Sequence, residues 1–171
     1  MTKATKTELK GLWERMFYIN HRHIFLMKEI KTKTATMEDY RYCYNLSKRN
    51  MLHYLEKHWG GWKRGAFRKS FDPKKTKIIL KNNRRIGFYI ILKKPNCHYI
   101  STIQISKQMR GKGVGTYMLN TIENKIRKQS KIKLIELRVF KDNPAKNLYK
   151  KLGYIKKEED ESSILMKKRI K

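Results

Sequence analysis

Hydrophobic residues recur every three to four positions in some stretches of this chain, and form short β-branched runs in others. Residues 114–129 give the clearest helical pattern, because their apolar positions repeat at steps of four and would form one face. Those positions are Val114, Met118, Ile122 and Ile126. Similar spacing predicts helices over residues 37–58, 62–71 and 144–152. The β-branched runs predict strands at about 24–32, 77–81, 86–92, 97–106, 132–140, 154–158 and 163–169.

Local signals at the boundaries support these elements. Thr36-x-x-Asp39 has the form of a capping box, which is typical of the start of a helix. Gly60-Gly61 ends that helical region, and Asn82-Asn83 is a hairpin turn signal between two strands. A length of 171 residues fits one domain with a substantial core.

The start of the chain carries its own helical pattern, in which apolar residues recur at helical spacing. These residues are Leu9, Leu12, Trp13, Met16 and Phe17. We therefore predict an N-terminal helical extension over residues 1–22 and one main domain over residues 23–171. No internal repeat or low-complexity linker indicates a further domain.

The net charge of the chain changes most which partners are expected. The chain has 43 Lys and Arg against 14 Asp and Glu, a net charge of +29, and no carboxylate lies between Asp72 and Glu123. Such a field favours a polyanionic partner, a nucleic acid or a ribosome surface. Genome composition that favours lysine codons is the alternative explanation. The acidic run Glu158–Glu161 is either a solvated turn or a site for a basic partner.

Other features exclude whole classes of protein. No apolar run approaches 18 residues, so we expect no membrane span, and the N-terminus lacks the pattern of a signal peptide. Cys43, Cys97 and the five histidines lack metal-ligand spacing, so no metal site is expected. Unpaired cysteines favour reduced thiols in a cytoplasmic protein. The sequence leaves both a monomer and a homodimer open.

A glycine-rich loop, QMRGKGVGTYML over residues 108–119, follows a predicted strand and enters the 114–129 helix. Its glycines allow a tight turn, and the first N–H groups of a helix have no internal partner, so the junction suits an anion. The mononucleotide loop is excluded because Lys112 and Thr116 are not adjacent. The dinucleotide fingerprint is excluded because the spacing is G-x-G-x-G.

The segment Arg110-x-x-Gly113-x-Gly115 resembles the acyl-CoA loop of the GCN5-related N-acetyltransferases. A second segment, Leu137–Tyr154, is similar to another signature of that superfamily, in which a strand ends in Asn-x-x-Ala and a short helix carries Leu-Tyr-x-x-Leu-Gly. The resemblance implies an α/β (α+β) fold: a mixed central sheet of about six to seven strands, splayed between the fourth and fifth, with about four flanking helices.

The resemblance also implies a site for acetyl-CoA as co-substrate. The backbone of the loop would surround the pyrophosphate, with charge from Arg110 and Lys112, while the fourth strand would pair with the pantetheine arm. The resulting candidate residues are Ile103, Gln104, Ile105, Arg110, Gly111, Lys112, Gly113, Val114, Gly115, Thr116 and Asn143. Asn143 would contact CoA, although it also suits a helix cap before Pro144.

Tyr149 is the candidate catalytic residue. By resemblance it would protonate the departing thiolate, and a phenol holds its proton at neutral pH. The alternative is a core aromatic residue packed beside Leu148 and Leu152.

The general base stays open. Many relatives place a glutamate on the fourth strand, whereas residues 97–106 hold no Asp or Glu. A relayed water, His98, Glu38 or Glu56 could replace it.

We therefore predict an N-acetyltransferase that acts on a protein lysine, an N-terminal amine or a small-molecule amine. Absence of a carboxylate favours α-amines or weakly basic amines, because these are partly neutral without a base. The alternative is a catalytically weak module of the same fold that binds nucleic acid or the ribosome.

Overall fold

The structure is a computed structural model that describes Met27 and residues 29–171. Seven strands run through the described residues: β1 (Ile30–Thr34), β2 (Thr76–Lys81), β3 (Arg84–Lys93), β4 (His98–Ile105), β5 (Leu134–Phe140), β6 (Ile155–Glu159) and β7 (Ser163–Arg169). Four α-helices accompany them: α1 (Tyr40–Trp59), α2 (Arg64–Ser70), α3 (Val114–Gln129) and α4 (Ala145–Lys151). Short 3-10 turns, Met37–Asp39 and Lys107–Met109, precede α1 and the glycine loop. The predicted helical extension over residues 1–22 lies outside the described residues.

All seven strands join one sheet in the order β1-β2-β3-β4-β5-β7-β6. Every neighbouring pair is antiparallel except β4 and β5, which run parallel. That parallel ladder covers three pairs, from His98 beside Ile135 to Ile100 beside Leu137. Beyond these pairs β4 continues to Ile105 and β5 to Phe140 without pairing with each other. The mixed sheet, the four helices and the splay between the fourth and fifth strands confirm the predicted fold.

The core lies on both faces of the sheet. On one face the predicted apolar stripe of α3 is buried, and Met118 and Ile122 pack with Ile135 and Leu137 of β5. On the other face α1 packs Leu46 against the sheet in a smaller cluster. Because each helix buries one apolar stripe, most polar side chains of both helices are left at the surface, with Ser47 and Glu123 as buried exceptions.

One glycine in the sheet is required by close packing. A Cβ on Gly87 of β3 would lie 2.4 Å from the main-chain oxygen of Gln104. Gly87 therefore lets β3 approach β4 closely at the end of β4, where Gly87 pairs with Ile105.

The predicted capping box at the start of α1 is present. The main-chain N–H of Thr36 donates to Asp39 Oδ2 at 3.1 Å. Asp39 is buried and also pairs with Lys33 at 3.2 Å and Arg85 at 3.1 Å. Burial alone would raise the pKa of Asp39, but the Thr36 hydrogen bond and the two cations outweigh burial and lower it. This cluster holds the start of α1 on β1 and β3.

The far end of α1 is held by aromatic packing. The ring of Phe140, the last residue of β5, stacks on Tyr54 with centroids 5.6 Å apart and on His58 at 5.2 Å. Trp59 meets the same ring edge-on at 4.8 Å. The helix then stops at Gly60, whose φ of 69° is left-handed. Through Phe140, the end of α1 is fixed beside the diverging end of β5.

Candidate active site

A cleft of about 600 Å³ opens where β4 and β5 diverge. Its walls are the free ends of these two strands, and the glycine loop and α4 close it on one side. Tyr149 and all of the candidate CoA-binding residues line this cleft except Lys112 and Val114. Lys112 is exposed beside the cleft, and the Val114 side chain is buried in the core.

The glycine loop, residues 110–116, takes its shape from its three glycines. Gly111 and Gly113 have φ values of 71° and 76°, in the left-handed region that favours glycine. A Cβ on Gly115 would lie 3.0 Å from Leu148 Cδ2, so this glycine allows α3 to pack closely on α4. The first helical bond, Tyr117 N–H to Gly113 O at 2.9 Å, leaves the preceding N–H groups without helical partners. The loop can therefore hold an anion with main-chain donors.

The exposed main chain of β4 forms a second wall. Between Ile100 and Thr102 the register with β3 shifts by one residue, which makes Ser101 a bulge. Beyond Ile100, the main-chain groups that face β5 have no ladder partner there. Ile105 O is an exception, because it accepts from Asn50 Nδ2 and Arg110 Nε, both at 3.2 Å. The strand can thus hydrogen-bond an extended ligand lying in the cleft.

A neutral amide network faces α1. Asn50 Nδ2 donates to Gln104 Oε1 at 2.9 Å, and Gln104 Nε2 donates to Thr102 Oγ1 at 2.9 Å. Sequence reasoning selected Gln104 for its main chain and missed the contributions of Asn50 and Thr102. The alternation of polar Thr102 and Gln104 within an apolar strand was a signal for this network. No such signal existed for Asn50, because it lies 54 residues from Gln104 in sequence.

Tyr149 lies on α4 with its ring edge-on to Tyr154, the centroids 5.9 Å apart. Burial raises the pKa of Tyr149 to about 12, so its hydroxyl stays protonated at neutral pH. At the start of the same helix, Asn143 Oδ1 accepts from the Ala145 N–H at 2.9 Å. Asn143 therefore caps α4 and lines the cleft at the same time.

Arg110 and Arg138 are the charged side chains that line the cleft, and Arg138 pairs with Asp160 at 2.6 Å. Among the described lining residues there is no Asp, Glu or His.

The candidate bases lie elsewhere. His98 sits at the opposite end of β4, where its Nε2 is 2.9 Å from Ser130 Oγ and burial lowers its pKa. Glu38 and Glu56 are exposed outside the cleft.

An aromatic wall, formed by Tyr54, Trp59 and Phe140, lines the end of the cleft beside β5. Trp59 Nε1 donates to Ser162 Oγ at 3.3 Å, which joins the end of α1 to the β6–β7 turn. The sequence analysis did not identify this wall, because its members come from two elements that meet only in the fold.

The wall is bordered by an ionic cluster. Asp142 accepts from Lys57 Nζ at 2.8 Å and lies 3.1 Å from His58 Nε2. The hydrogen bond from Lys57, and then that from His58, lower the pKa of Asp142 to about 2. The Asp142 carboxylate is therefore ionised and already paired at neutral pH.

Across the described residues, no group of three His, Cys, Asp or Glu side chains is placed to hold a metal ion. No described helix is long and apolar enough to cross a membrane.

The splayed sheet, the glycine loop and the cleft between them are typical of the fold of acyl-CoA-dependent transferases. The model of the Acetyltransferase (GNAT) family matches residues 34–154, and the chain belongs to this family. A comparison with curated proteins finds no match.

Solved structures agree with this fold. The PaiA N-acetyltransferase from Thermoplasma acidophilum in complex with coenzyme A is 16% identical, with a TM-score of 0.66 over 82% of this chain and 99% of that one. Ard1 from Thermoplasma volcanium is 15% identical, with a TM-score of 0.61 over 83% and 98%. The ribosomal-protein-S18-alanine N-acetyltransferase from Escherichia coli is 16% identical, with a TM-score of 0.60 over 82% and 94%.

Proposed function

We propose that this protein transfers an acetyl group from acetyl-CoA to an amine, with Tyr149 as the general acid. One observation carries the proposal: the glycine loop, the unpaired end of β4 and Tyr149 all face the same cleft. The solved relative that contains coenzyme A supports CoA as the ligand.

The glycine loop would bind the pyrophosphate of CoA. Its N–H groups lie at the N-terminus of α3, where the helix dipole favours negative charge. Arg110 lines the cleft and Lys112 is exposed next to it, so both add positive charge within reach of the phosphates.

The free edge of β4 would hold the pantetheine arm through Ile103, Gln104 and Ile105. An N–H of this edge would also polarise the thioester carbonyl, where negative charge develops as the amine attacks. Removing one such donor in an enzyme typically costs about 10²–10³-fold in kcat.

Tyr149 would act when the carbon–sulfur bond breaks. The amine nitrogen bonds to the carbonyl carbon, the electron pair of the broken bond stays on sulfur, and the Tyr149 hydroxyl gives its proton to that sulfur. Water receives the proton released by the amine and restores the tyrosine. The Tyr149 hydroxyl has a pKa of about 12, whereas a thiol has a pKa of about 8.5. Complete transfer of the proton to the thiolate is therefore unfavourable by roughly 5 kcal/mol. We therefore expect partial transfer, with an effect near the lower end of the usual range for general acids.

The acceptor is proposed to be an α-amine or a weakly basic small amine. With no carboxylate or histidine among the described lining residues, the amine has to arrive neutral. At pH 7.4 about a quarter of α-amines are neutral, against about 0.1% of lysine side chains. The aromatic wall offers an apolar surface for the group that carries the amine.

An acceptor screen tests this proposal. Release of CoA from acetyl-CoA should be faster with peptide α-amines than with the same peptides blocked at the N-terminus and carrying one lysine. Equal rates with both peptide sets at pH 7.4 would contradict the proposed acceptor class.

The second candidate function is a catalytically weak module that binds nucleic acid or the ribosome. The lack of Asp, Glu and His among the described residues that line the cleft favours this module. Acetyl-CoA binding measured by calorimetry, without CoA release across a broad amine mixture, would support this module over the enzyme.

A further inference from the structure

Eight basic residues gather at the end of the sheet opposite the cleft, a region that we call the basic end. They come from the β3–β4 turn, the last turns of α3, the α3–β5 loop and the end of β7. These residues are Lys93, Lys94, Lys125, Arg127, Lys128, Lys131, Lys133 and Arg169.

Strand pairing brings these segments side by side. Lys93 pairs with His98, His98 with Ile135, and Ile135 with Lys168, so four neighbouring strands present this end in one row. With a spacing of about 4.8 Å, the row is roughly 14 Å wide. Arg127 Nε donates to Lys171 O at 2.6 Å, which ties the end of α3 to the same row.

No carboxylate side chain offsets this charge within the contributing segments. Residues 93–98, 125–133 and 167–171 contain no Asp or Glu. Glu123 and Glu136 border them in sequence, but both are buried and paired, with Lys168 at 2.6 Å and Lys157 at 3.0 Å.

Two groups of acids lie at the cleft end of the sheet, whereas Asp72, just before β2, lies at the same end as Lys93 and is paired with Lys75 at 3.0 Å. Asp142 follows β5 at the cleft, and the run Glu158–Glu161 forms the end of β6 and the β6–β7 turn. Among the described residues, charge is therefore separated along β5 and β7, and the segments of the basic end carry no exposed acidic side chain. A helix dipole explains one or two cations near the C-terminus of α3, since it amounts to about half a charge. It does not explain cations on the β3–β4 turn and β7.

We propose that the basic end binds the phosphodiester backbone of a nucleic acid. Eight cations in so small an area repel one another, and a row of phosphates relieves this repulsion while releasing counterions. A lipid surface fits less well, because no large hydrophobic side chain is exposed in the three segments. Helix α3 has 16 residues and spans about 24 Å, so a bound nucleic acid leaves the glycine loop and cleft open.

Fluorescence anisotropy of the full chain with labelled 20-base-pair RNA and DNA duplexes tests the proposal. Binding should be detectable at about 50 mM salt, and log Kd should change linearly with log[salt], by about 0.9 per DNA phosphate neutralised. The double variant Lys128→Gln/Lys131→Gln should lower that slope by about 1.8 with DNA. The RNA and DNA arms show which duplex is preferred.

A matched control is available on the opposite face of the sheet. Arg68 and Lys69 are exposed in the last turn of α2, so Arg68→Gln/Lys69→Gln removes the same charge at the end of another helix. This control should keep the original slope, and both variants should keep wild-type CoA affinity by calorimetry.

Three outcomes would overturn the proposal: no duplex binding at about 50 mM salt, equal loss of slope in both double variants, or displacement of the duplex by vesicles of anionic phospholipid at equal phosphate concentration. Circular dichroism of both variants separates a local loss of contacts from unfolding.

Discussion

Tyr149→Phe separates the proposed general acid from a purely structural aromatic residue. The substitution removes the hydroxyl and keeps the ring that packs on Tyr154 at 5.9 Å. General acids contribute about 10²–10⁴-fold, and the raised pKa of Tyr149 favours the lower end. We expect kcat to fall about 10²-fold, equivalent to about 2.7 kcal/mol of transition-state stabilisation, with the KM for acetyl-CoA nearly unchanged.

The neighbouring residue Tyr154 gives the matched control. Among the described residues its buried hydroxyl has no hydrogen-bond partner, and Tyr154 does not line the cleft. Tyr154→Phe therefore removes a hydroxyl from the other ring of this aromatic pair. It should keep kcat within about twofold of the wild type. The assay is steady-state release of CoA with the best amine of the acceptor screen, at several pH values.

The pH dependence adds a second measurement. Burial raises the pKa of Tyr149 to about 12, so its proton is held throughout the range of pH 7–10. Wild-type turnover with a saturating amine should not decline up to pH 10, where an ordinary tyrosine is half ionised. If Tyr149→Phe stays within about twofold of the wild type, or Tyr154→Phe loses as much, then Tyr149 only packs the core.

Three further substitutions follow from the geometry. Gly113→Asp places a carboxylate in the anion-binding loop, so calorimetry should show a loss of CoA affinity of at least tenfold, whereas Gly60→Asp, at a similar left-handed φ, should bind normally. Gly87→Ala puts a Cβ 2.4 Å from a β4 main-chain oxygen and should destabilise the fold by about 1–3 kcal/mol in urea unfolding, a claim refuted by unchanged stability. Because the pKa of Asp39 is lowered, its stabilising effect is present above about pH 4 and lost as the pH falls below it. Asp39→Asn should therefore weaken the dependence of the free energy of unfolding on pH below about pH 4. If that dependence is unchanged, the ion-pair cluster does not stabilise the fold.

Local signals were sufficient for most of the secondary structure. The predicted helix over residues 114–129 coincides with α3, because one apolar stripe and a glycine-rich start define both of its ends. Most strand boundaries differ by one or two residues. β1 differs most: the predicted range is 24–32 and the strand spans Ile30–Thr34, while residues 24–26 and 28 lie outside the described residues. Only Ile30 of its five residues is buried, so hydropathy marks its edges poorly. The roles of Tyr149 and of the glycine loop stay predictions.

The composition of the cleft could not be predicted from the sequence, because its contacts join distant segments. Asn50 and Gln104 are 54 residues apart, and Lys57 and Asp142 are 85 apart. The separation of charge along the strands could not be predicted from the sequence either. It depends on β7 inserting between β5 and β6, which places the acidic turn and the basic C-terminal segment at opposite ends.

The short parallel ladder between β4 and β5 has a consequence for motion. It is the one strand pairing that joins β1–β4 to β5–β7–β6 in the described chain, and it spans three residue pairs. A rotation of the two halves about this pivot would leave the antiparallel hydrogen bonds within each half intact. Such collective rotations occur on microsecond to millisecond timescales. Such a rotation would change the width of the cleft, and it is opposed by the contacts of α1 with Phe140, Asp142 and Ser162.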